Sequence, residues 1–170
     1  GLEFMTEGPF RKGTGASYMI AYRYSFTGIA QAIGLNIGTA ATPNYQDLTF
    51  KITSGKTKLG TFSLFGLGGL SDIDFLHNKI DTTDVFADPT RDSYSKSALG
   101  LIGVSHQIQI NSKSFLKTVI GANYSNNSFD RDTLDVTKTL ATRALEISTK
   151  EIHYTLNTAY SSKINSRFNI

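Results

Sequence analysis

The sequence contains no cysteine, only three prolines and no long apolar run. The lack of cysteine excludes disulfides and thiolate metal sites, and it leaves the redox compartment open. Because no stretch of about 18 apolar residues occurs, a membrane-spanning helix is excluded as well. This pattern still admits a transmembrane β-barrel, because each strand of such a barrel gives only a weak, alternating signal.

Charge is also sparse and nearly balanced, with 17 Lys and Arg against 14 Asp and Glu and a net charge of +3. The basic residues are scattered along the chain, whereas nucleic-acid-binding domains cluster them on one face. The composition therefore argues against a nucleic-acid partner. A chain of 170 residues is long enough for one core, so we expect a single unit over residues 1–170.

What the chain does have is alternation. In residues 15–25, GASYMIAYRYS, every second side chain is a tyrosine or isoleucine, and the opposite set includes Ser17 and Arg23. Such alternation is typical of a strand with different environments on its two faces. A face rich in tyrosine suits lipid and its headgroup layer, and a polar face suits a wet lumen.

The same alternation recurs along the chain, and turn-forming residues separate the repeats. We predict eight strands, at residues 1–8, 15–26, 45–53, 58–70, 94–110, 114–125, 147–161 and 166–170. Connections alternate between short turns and long loops, and the long ones are 27–44, 71–93 and 126–146. Consecutive antiparallel strands place all short turns at one end, which is the pattern of outer-membrane barrels. The first and last predicted strands are incomplete, so we expect a segment of a larger barrel.

The fold class that follows is all-β: an antiparallel transmembrane β-barrel segment of about eight strands, with short periplasmic turns and long extracellular loops. The glycines of FGLGG, residues 65–69, lack the helix and the Lys-Ser/Thr of a phosphate loop, so we interpret them as easing strand curvature or facing the lumen. Ser105 and His106 are consecutive and point to opposite faces. With no set of nucleophile, base and orienting group, we predict no enzyme and no cofactor.

An acidic segment, residues 71–93, is the only candidate metal site in the sequence. Carboxylate oxygens suit hard cations, although the spacing matches no EF-hand loop. A solvated acidic loop is the simpler interpretation. The candidate ligands are Asp72, Asp74, Asp81, Asp84 and Asp88.

Three stretches together resemble the barrel of TonB-dependent outer-membrane receptors, of the type with an N-terminal carboxypeptidase-regulatory-like domain. They read EGPFRKGTGASYMIAYRYS, PNYQDLTFKI and GTFSLFGLGGLS, and they lie within residues 6–71. The resemblance implies a much larger barrel, closed by a globular plug and energised by the TonB system. Both the plug and the TonB-contacting segment are absent from these residues. The implied partners are outer-membrane lipid, the TonB system through that absent plug, and a surface lipoprotein over the barrel mouth.

The leading hypothesis is therefore part of an outer-membrane receptor that imports a scarce ligand such as a siderophore, cobalamin, glycan or peptide. Ligand selection would fall to the long loops and to the polar face, notably Arg23, Lys117, Glu151 and His153. For each residue, a hydrogen bond to a neighbouring strand or to water is the simpler role. Two alternatives remain open: a complete eight-stranded barrel acting as an adhesin or structural anchor, and a soluble all-β binding domain.

Overall fold

The computed structural model describes residues 1–25, 41–79, 88–135, 137 and 140–164. These residues form one antiparallel sheet of seven strands in chain order, with a short 3₁₀ helix at His77–Lys79. The strands are β1 (Leu2–Pro9), β2 (Ala16–Tyr24), β3 (Ala41–Ser54), β4 (Thr61–Phe75), β5 (Arg91–Asn111), β6 (Ser114–Leu134) and β7 (Ala141–Ser162). The all-β prediction and the antiparallel order are thus confirmed.

Barrel closure is not seen among the described strands. Neighbouring strands pair in the order β1 to β7, and the outer edges of β1 and β7 have no partner strand within the described residues. The structure is therefore an open sheet where a barrel segment of about eight strands was predicted. The eighth predicted strand, at residues 166–170, and the predicted loop residues 27–40 lie outside the described part of the chain.

The predicted alternation of short and long connections is wrong for the third long loop. Strand β6 continues to Leu134 and β7 begins at Ala141, so the connection spans only residues 135–140. The predicted loop 126–146 is mostly a β-ribbon, with Phe129 opposite Ile147 and Asp130 opposite Glu146. The acidic residues of this segment led to its prediction as a solvated loop. In the structure, an arginine neutralises them, as described below.

The short turns are tight and rely on glycine where the backbone demands it. Gly55 has φ +78, and a Cβ there would collide with the carbonyl oxygen of Thr14 in the neighbouring turn. Between β5 and β6 the turn has only residues 112–113, and the Lys113 backbone N–H donates to Asn111 Oδ1 over 2.8 Å. Such side-chain bonds to nearby backbone are characteristic of turns.

One face of the sheet is apolar over its middle. In one row across the strands, Ile20, Phe50, Gly66, Ile102, Ala122 and Tyr154 are neighbours. The apolar part of this face begins at the row that contains Phe62 and His106 and ends at the row that contains Leu70 and Ala98. We call this part the apolar band. The band spans eight residue steps on β4, about 27 Å along the strand at ~3.4 Å per residue. Most of its large side chains are exposed, including Leu156 at 71% and Tyr154 at 82%.

Aromatic rings lie at both limits of the apolar band. Tyr22 and Tyr124 stand in its last full apolar row, on the side of the longer connections. At the other limit, Phe62 stacks on His106 with a centroid distance of 4.4 Å. The His106 Nε2–H donates to the Leu59 carbonyl oxygen over 2.6 Å. This ring is thereby fixed between the sheet and the adjacent short turn.

Beyond the row of Leu70 and Ala98, the same face becomes charged and polar. We call this part of strands β4–β7 the outer extension; on its apolar-side face the next row holds Asp72, Lys96, Ser128 and Ser148. Strands β5, β6 and β7 are 21, 21 and 22 residues long because they continue through it. The outer extension is a direct continuation of the sheet.

Candidate functional site

The four residues predicted to bind ligand lie on one face of the sheet, opposite the apolar band. The register pairs Arg23 with Asp47, Lys117 with Ala159, Ser125 with Glu151 and Asn123 with His153. Following these pairs across the sheet places all four side chains on the same side, because side chains alternate with a period of two. We call this side the polar face.

Only Glu151 and His153 are brought together on the polar face. The His153 Nε2–H donates to Glu151 Oε2 over 3.2 Å, and both side chains are more than half exposed. Their cross-strand partners, Ser125 and Asn123, add further hydrogen-bonding groups. This part of the polar face can offer both donors and acceptors to a hydrated ligand.

Lys117 and Arg23 are remote from that pair. Lys117 lies six residues along β6 from Asn123, the partner of His153, which is about 20 Å. Arg23 is on β2, and five strand spacings separate β2 from β7, which carries the pair, about 24 Å. The structure therefore does not assemble the four residues into one pocket. Their role in ligand binding stays a prediction.

Arg23 has its own partners instead. Its guanidinium contacts Asp47 Oδ2 at 2.8 Å and lies over the Tyr45 ring at 5.3 Å. Asp47 is its direct cross-strand neighbour on β3. An exposed pair of this kind contributes little to stability. It fixes the position of a cation on the polar face.

The acidic metal candidates are divided by the structure. Asp81 and Asp84 lie outside the described residues. Asp72 Oδ2 accepts a hydrogen bond from Asn44 Nδ2 over 3.0 Å, while Asp88 Oδ1 accepts from both the backbone N–H and the hydroxyl of Thr90. Those bonds lower the pKa of Asp88, with a smaller contribution from Arg91. Within residues 1–25, 41–79, 88–135 and 140–164 no group of three or more acidic or histidine side chains is arranged to hold a metal ion.

An open groove of about 630 Å³ lies where the apolar band meets the outer extension. Its lining includes Asp72, Asp74, Tyr94, Lys96 and Asn126. Burial and the nearby carboxylates, first Asp92 and then Asp132, raise the pKa of Tyr94. The groove is open and lined by both acidic and basic side chains, and it lies at the start of the outer extension.

Two contacts in the outer extension were missed by the sequence analysis. Arg143 contacts the carboxylates of Asp130 and Asp132 on the neighbouring strand, and Glu146 at 3.9 Å. The acidic side chains that resembled a solvated loop are therefore partly neutralised within a ribbon. The position of Arg143, after the acidic segment 130–135 and three residues before Glu146, is the sequence signal that could have revealed this pairing.

The second missed contact joins the 3₁₀ helix to the start of β5. Asp92 Oδ1 accepts from the His77 backbone N–H over 2.7 Å and lies 2.9 Å from His77 Nδ1. Asp92 is buried, so its two bonds to one residue hold the beginning of the connection after β4 against the sheet. Fifteen residues separate His77 from Asp92, so no local sequence pattern predicts this contact.

Comparison with known proteins adds no assignment: no protein-family model, curated protein or solved structure matches the chain. No helix in the described residues is long and apolar enough to cross a membrane.

Proposed function

We propose that this chain forms part of the wall of an outer-membrane β-barrel receptor that imports a scarce ligand, as TonB-dependent receptors do. The observation that carries the proposal is the contrast between the two faces of the sheet. One face exposes a continuous apolar band with aromatic rings at its limits, while the other carries charged and hydroxyl side chains on β2, β3, β6 and β7 beside Leu67, Leu99 and Leu101 on β4 and β5. Lipid outside and water inside would satisfy both.

The size of the exposed apolar surface supports a lipid-facing role over a soluble domain. Soluble monomers rarely expose contiguous apolar patches above a few hundred Å². Here large exposed apolar side chains continue across the strands, for example Ile20, Ile52, Leu64, Ile102, Ile120 and Leu156. The length of about 27 Å along the strand becomes about 19–22 Å across the membrane at a strand tilt of ~35–45°, which approaches the ~25 Å apolar band of transmembrane barrels.

In lipid, the outer edges of β1 and β7 would need partners, since the hydrocarbon supplies no hydrogen bonds to a free sheet edge. The proposal therefore requires further strands beside these edges. Import of a ligand would use the polar face, where Glu151 and His153 form the most developed group of donors and acceptors.

The test of membrane insertion uses the absence of tryptophan from these 170 residues. Ile120→Trp and Val119→Trp, each introduced into the native polypeptide that contains this stretch, place one added fluorophore on adjacent residues of β6 that face opposite sides, and the emission of the unmodified polypeptide is subtracted. After reconstitution into vesicles with brominated acyl chains, we expect strong quenching for residue 120 and little for residue 119. Equal quenching, or none at either residue, would contradict the proposal.

The importer part of the proposal is tested separately. The native polypeptide that contains this stretch is extracted from outer membranes with detergent, and its intact mass is measured. A mass several-fold above 18.6 kDa is expected for a plugged receptor. A mass near that value would contradict import through a large barrel and favour a small anchoring barrel.

A further inference from the structure

We propose that the short-turn end of the sheet is a cationic rim that binds the phosphates of anionic phospholipid headgroups. This inference rests on the proposed membrane function. The rim consists of six basic residues in or beside the short turns: Arg11, Lys12, Lys56, Lys58, Lys113 and Lys163. In the sequence they look scattered, because 44 to 55 residues separate the basic residues of one turn from those of the next. The meander gathers them at one edge.

Backbone contacts join neighbouring parts of this edge at two places. The Lys56 N–H donates to the Thr14 carbonyl oxygen over 3.4 Å, which joins the first short turn to the second. The Lys163 N–H donates to the Lys113 carbonyl oxygen over 2.9 Å, which joins the third turn to the end of β7. Successive turns are two strand spacings apart, about 10 Å. That distance is close to the ~8–10 Å Debye length at physiological salt, so neighbouring charges act jointly on an anionic surface.

The charges of the rim are not compensated within the described part of the protein. All six side chains are exposed, and the residues of the turns include no Asp or Glu. No ion pair among the described residues involves any of the six. By contrast Arg23, Arg91 and Arg143, which lie elsewhere, each contact a carboxylate. Among the residues that the structure describes, the rim is thus a cationic surface without an acidic partner.

Apolar side chains in the same turns favour a lipid surface as the partner. Phe10 adjoins Arg11 and packs on Tyr18 with a centroid distance of 5.2 Å, and Leu59 follows Lys58 and is 70% exposed. Both lie just beyond the apolar band. Apolar residues beside long basic side chains suit a headgroup layer, where the apolar parts enter the acyl boundary and the ammonium groups reach the phosphates. A soluble anion would gain nothing from Phe10 and Leu59.

The experiment places one tryptophan at each end of the sheet in the full chain. Leu59→Trp reports on the rim, and Leu140→Trp, at a residue 65% exposed in the opposite end, is the matched control. Each variant is inserted into phosphatidylcholine vesicles that contain a spin-labelled quencher, either phosphatidylglycerol or phosphatidylcholine. We expect phosphatidylglycerol to quench residue 59 more strongly than phosphatidylcholine does, with no such preference at residue 140.

Charge removal then tests which residues cause the preference. In the Leu59→Trp background, Lys56→Gln with Lys113→Gln should lower the preference for phosphatidylglycerol by up to about five-fold per lysine. The control, Lys96→Gln with Lys150→Gln, removes two exposed lysines far from the rim, one in the outer extension and one in the row of Leu70 and Ala98, and should leave the preference unchanged. High salt should weaken it in the unmodified rim.

Several outcomes would overturn the inference. Equal quenching of residue 59 by both lipids, or a preference that survives loss of the rim lysines, would exclude headgroup binding by the rim. Abolition of the preference by inorganic phosphate at the same phosphate concentration would assign the rim to soluble anions. Each of these presupposes insertion, which the Ile120→Trp variant reports independently. Absence of quenching at residue 120 would instead remove the proposed function itself.

Discussion

The apolar band and the outer extension are made from the same strands, yet they are stabilised by opposite means. On β4, the side chain at 70 is leucine and the next on that face is Asp72, while on β5 the order is Ala98 and then Lys96. Below this boundary, apolar side chains are exposed without compensation; above it, charges pair across strands. The difference teaches that one regular sheet can change from apolar to charged along its strands. The change follows the row of Leu70 and Ala98 on β4 and β5 and comes one row earlier, at Asn126 and Lys150, on β6 and β7.

The largest expected effect comes from placing a charge in the apolar band. Leu156→Arg and Ser148→Arg put the same cation on the same face of β7, eight residues apart, at two exposed positions. In lipid vesicles, Leu156→Arg should lower the free energy of unfolding by about 2–4 kcal/mol, because the charge enters hydrocarbon. Ser148→Arg should change it by less than about 0.5 kcal/mol. Urea unfolding of both variants measures the difference.

If the two arginine variants unfold alike, the boundary between the apolar band and the outer extension has no meaning for the surroundings of the sheet. A loss confined to Leu156→Arg would locate the effect in the apolar band. The unmodified chain in the same vesicles is the reference.

A second, smaller effect concerns how the strands pack inside the apolar band. The Phe50 ring lies over Gly66, its cross-strand neighbour, so that a Cβ at residue 66 would collide with the ring. Gly66→Ala should therefore destabilise the sheet by about 1–3 kcal/mol, since the ring must move. Gly100→Ala is the matched control, because nothing lies within 4 Å of a Cβ there.

Thermal unfolding of the two glycine variants in the same detergent measures this difference. Equal midpoints would show that Phe50 repacks at no cost. The expected contrast would also explain part of FGLGG: Gly66 accepts an aromatic ring and so permits close strand packing.

The smallest effect is a pH dependence confined to the outer extension. The pKa of Tyr94 is raised above its ordinary value of 10.0 by burial, and then by Asp92 and Asp132. For a group with a raised pKa in the folded state, the stabilisation is fully present below the ordinary value and is lost as the pH rises through the raised one. The outer extension should accordingly open at alkaline pH, whereas Tyr94→Phe should lack this response.

Hydrogen exchange of the ends of β5 and β6 at pH values on either side of 10.0 would follow this opening. The difference in phenolate absorbance between the natural chain and Tyr94→Phe would give the pKa itself. A difference curve centred at or below the ordinary value would contradict the raised pKa.

Much of the fold could be predicted from the sequence, because alternation directly reflects a strand whose two faces differ in polarity. The turns were placed well where glycine and lysine interrupt that alternation. Strand β6 was predicted to end at residue 125 but continues to Leu134. Alternation there is carried by polar and acidic side chains, which look like loop until Arg143 is seen to contact Asp130 and Asp132.

The candidate site was less accessible to prediction, because register cannot be read from one strand alone. Arg23 was identified as a lumen candidate, but its pairing with Asp47 depends on how β2 and β3 align. The rim lysines were overlooked for the opposite reason. Each turn carries one or two basic residues, too few to be noticed until the meander places the turns side by side.

The fit of Gly55 against the neighbouring turn has a consequence for how proteins built on this sheet can diverge. A turn whose backbone touches the next one cannot gain or lose a residue without displacing its neighbour. Insertions and deletions should therefore be rare at the rim. At the opposite end, successive connections differ widely in length, so variation in chain length, and with it new recognition surface, has room to accumulate there.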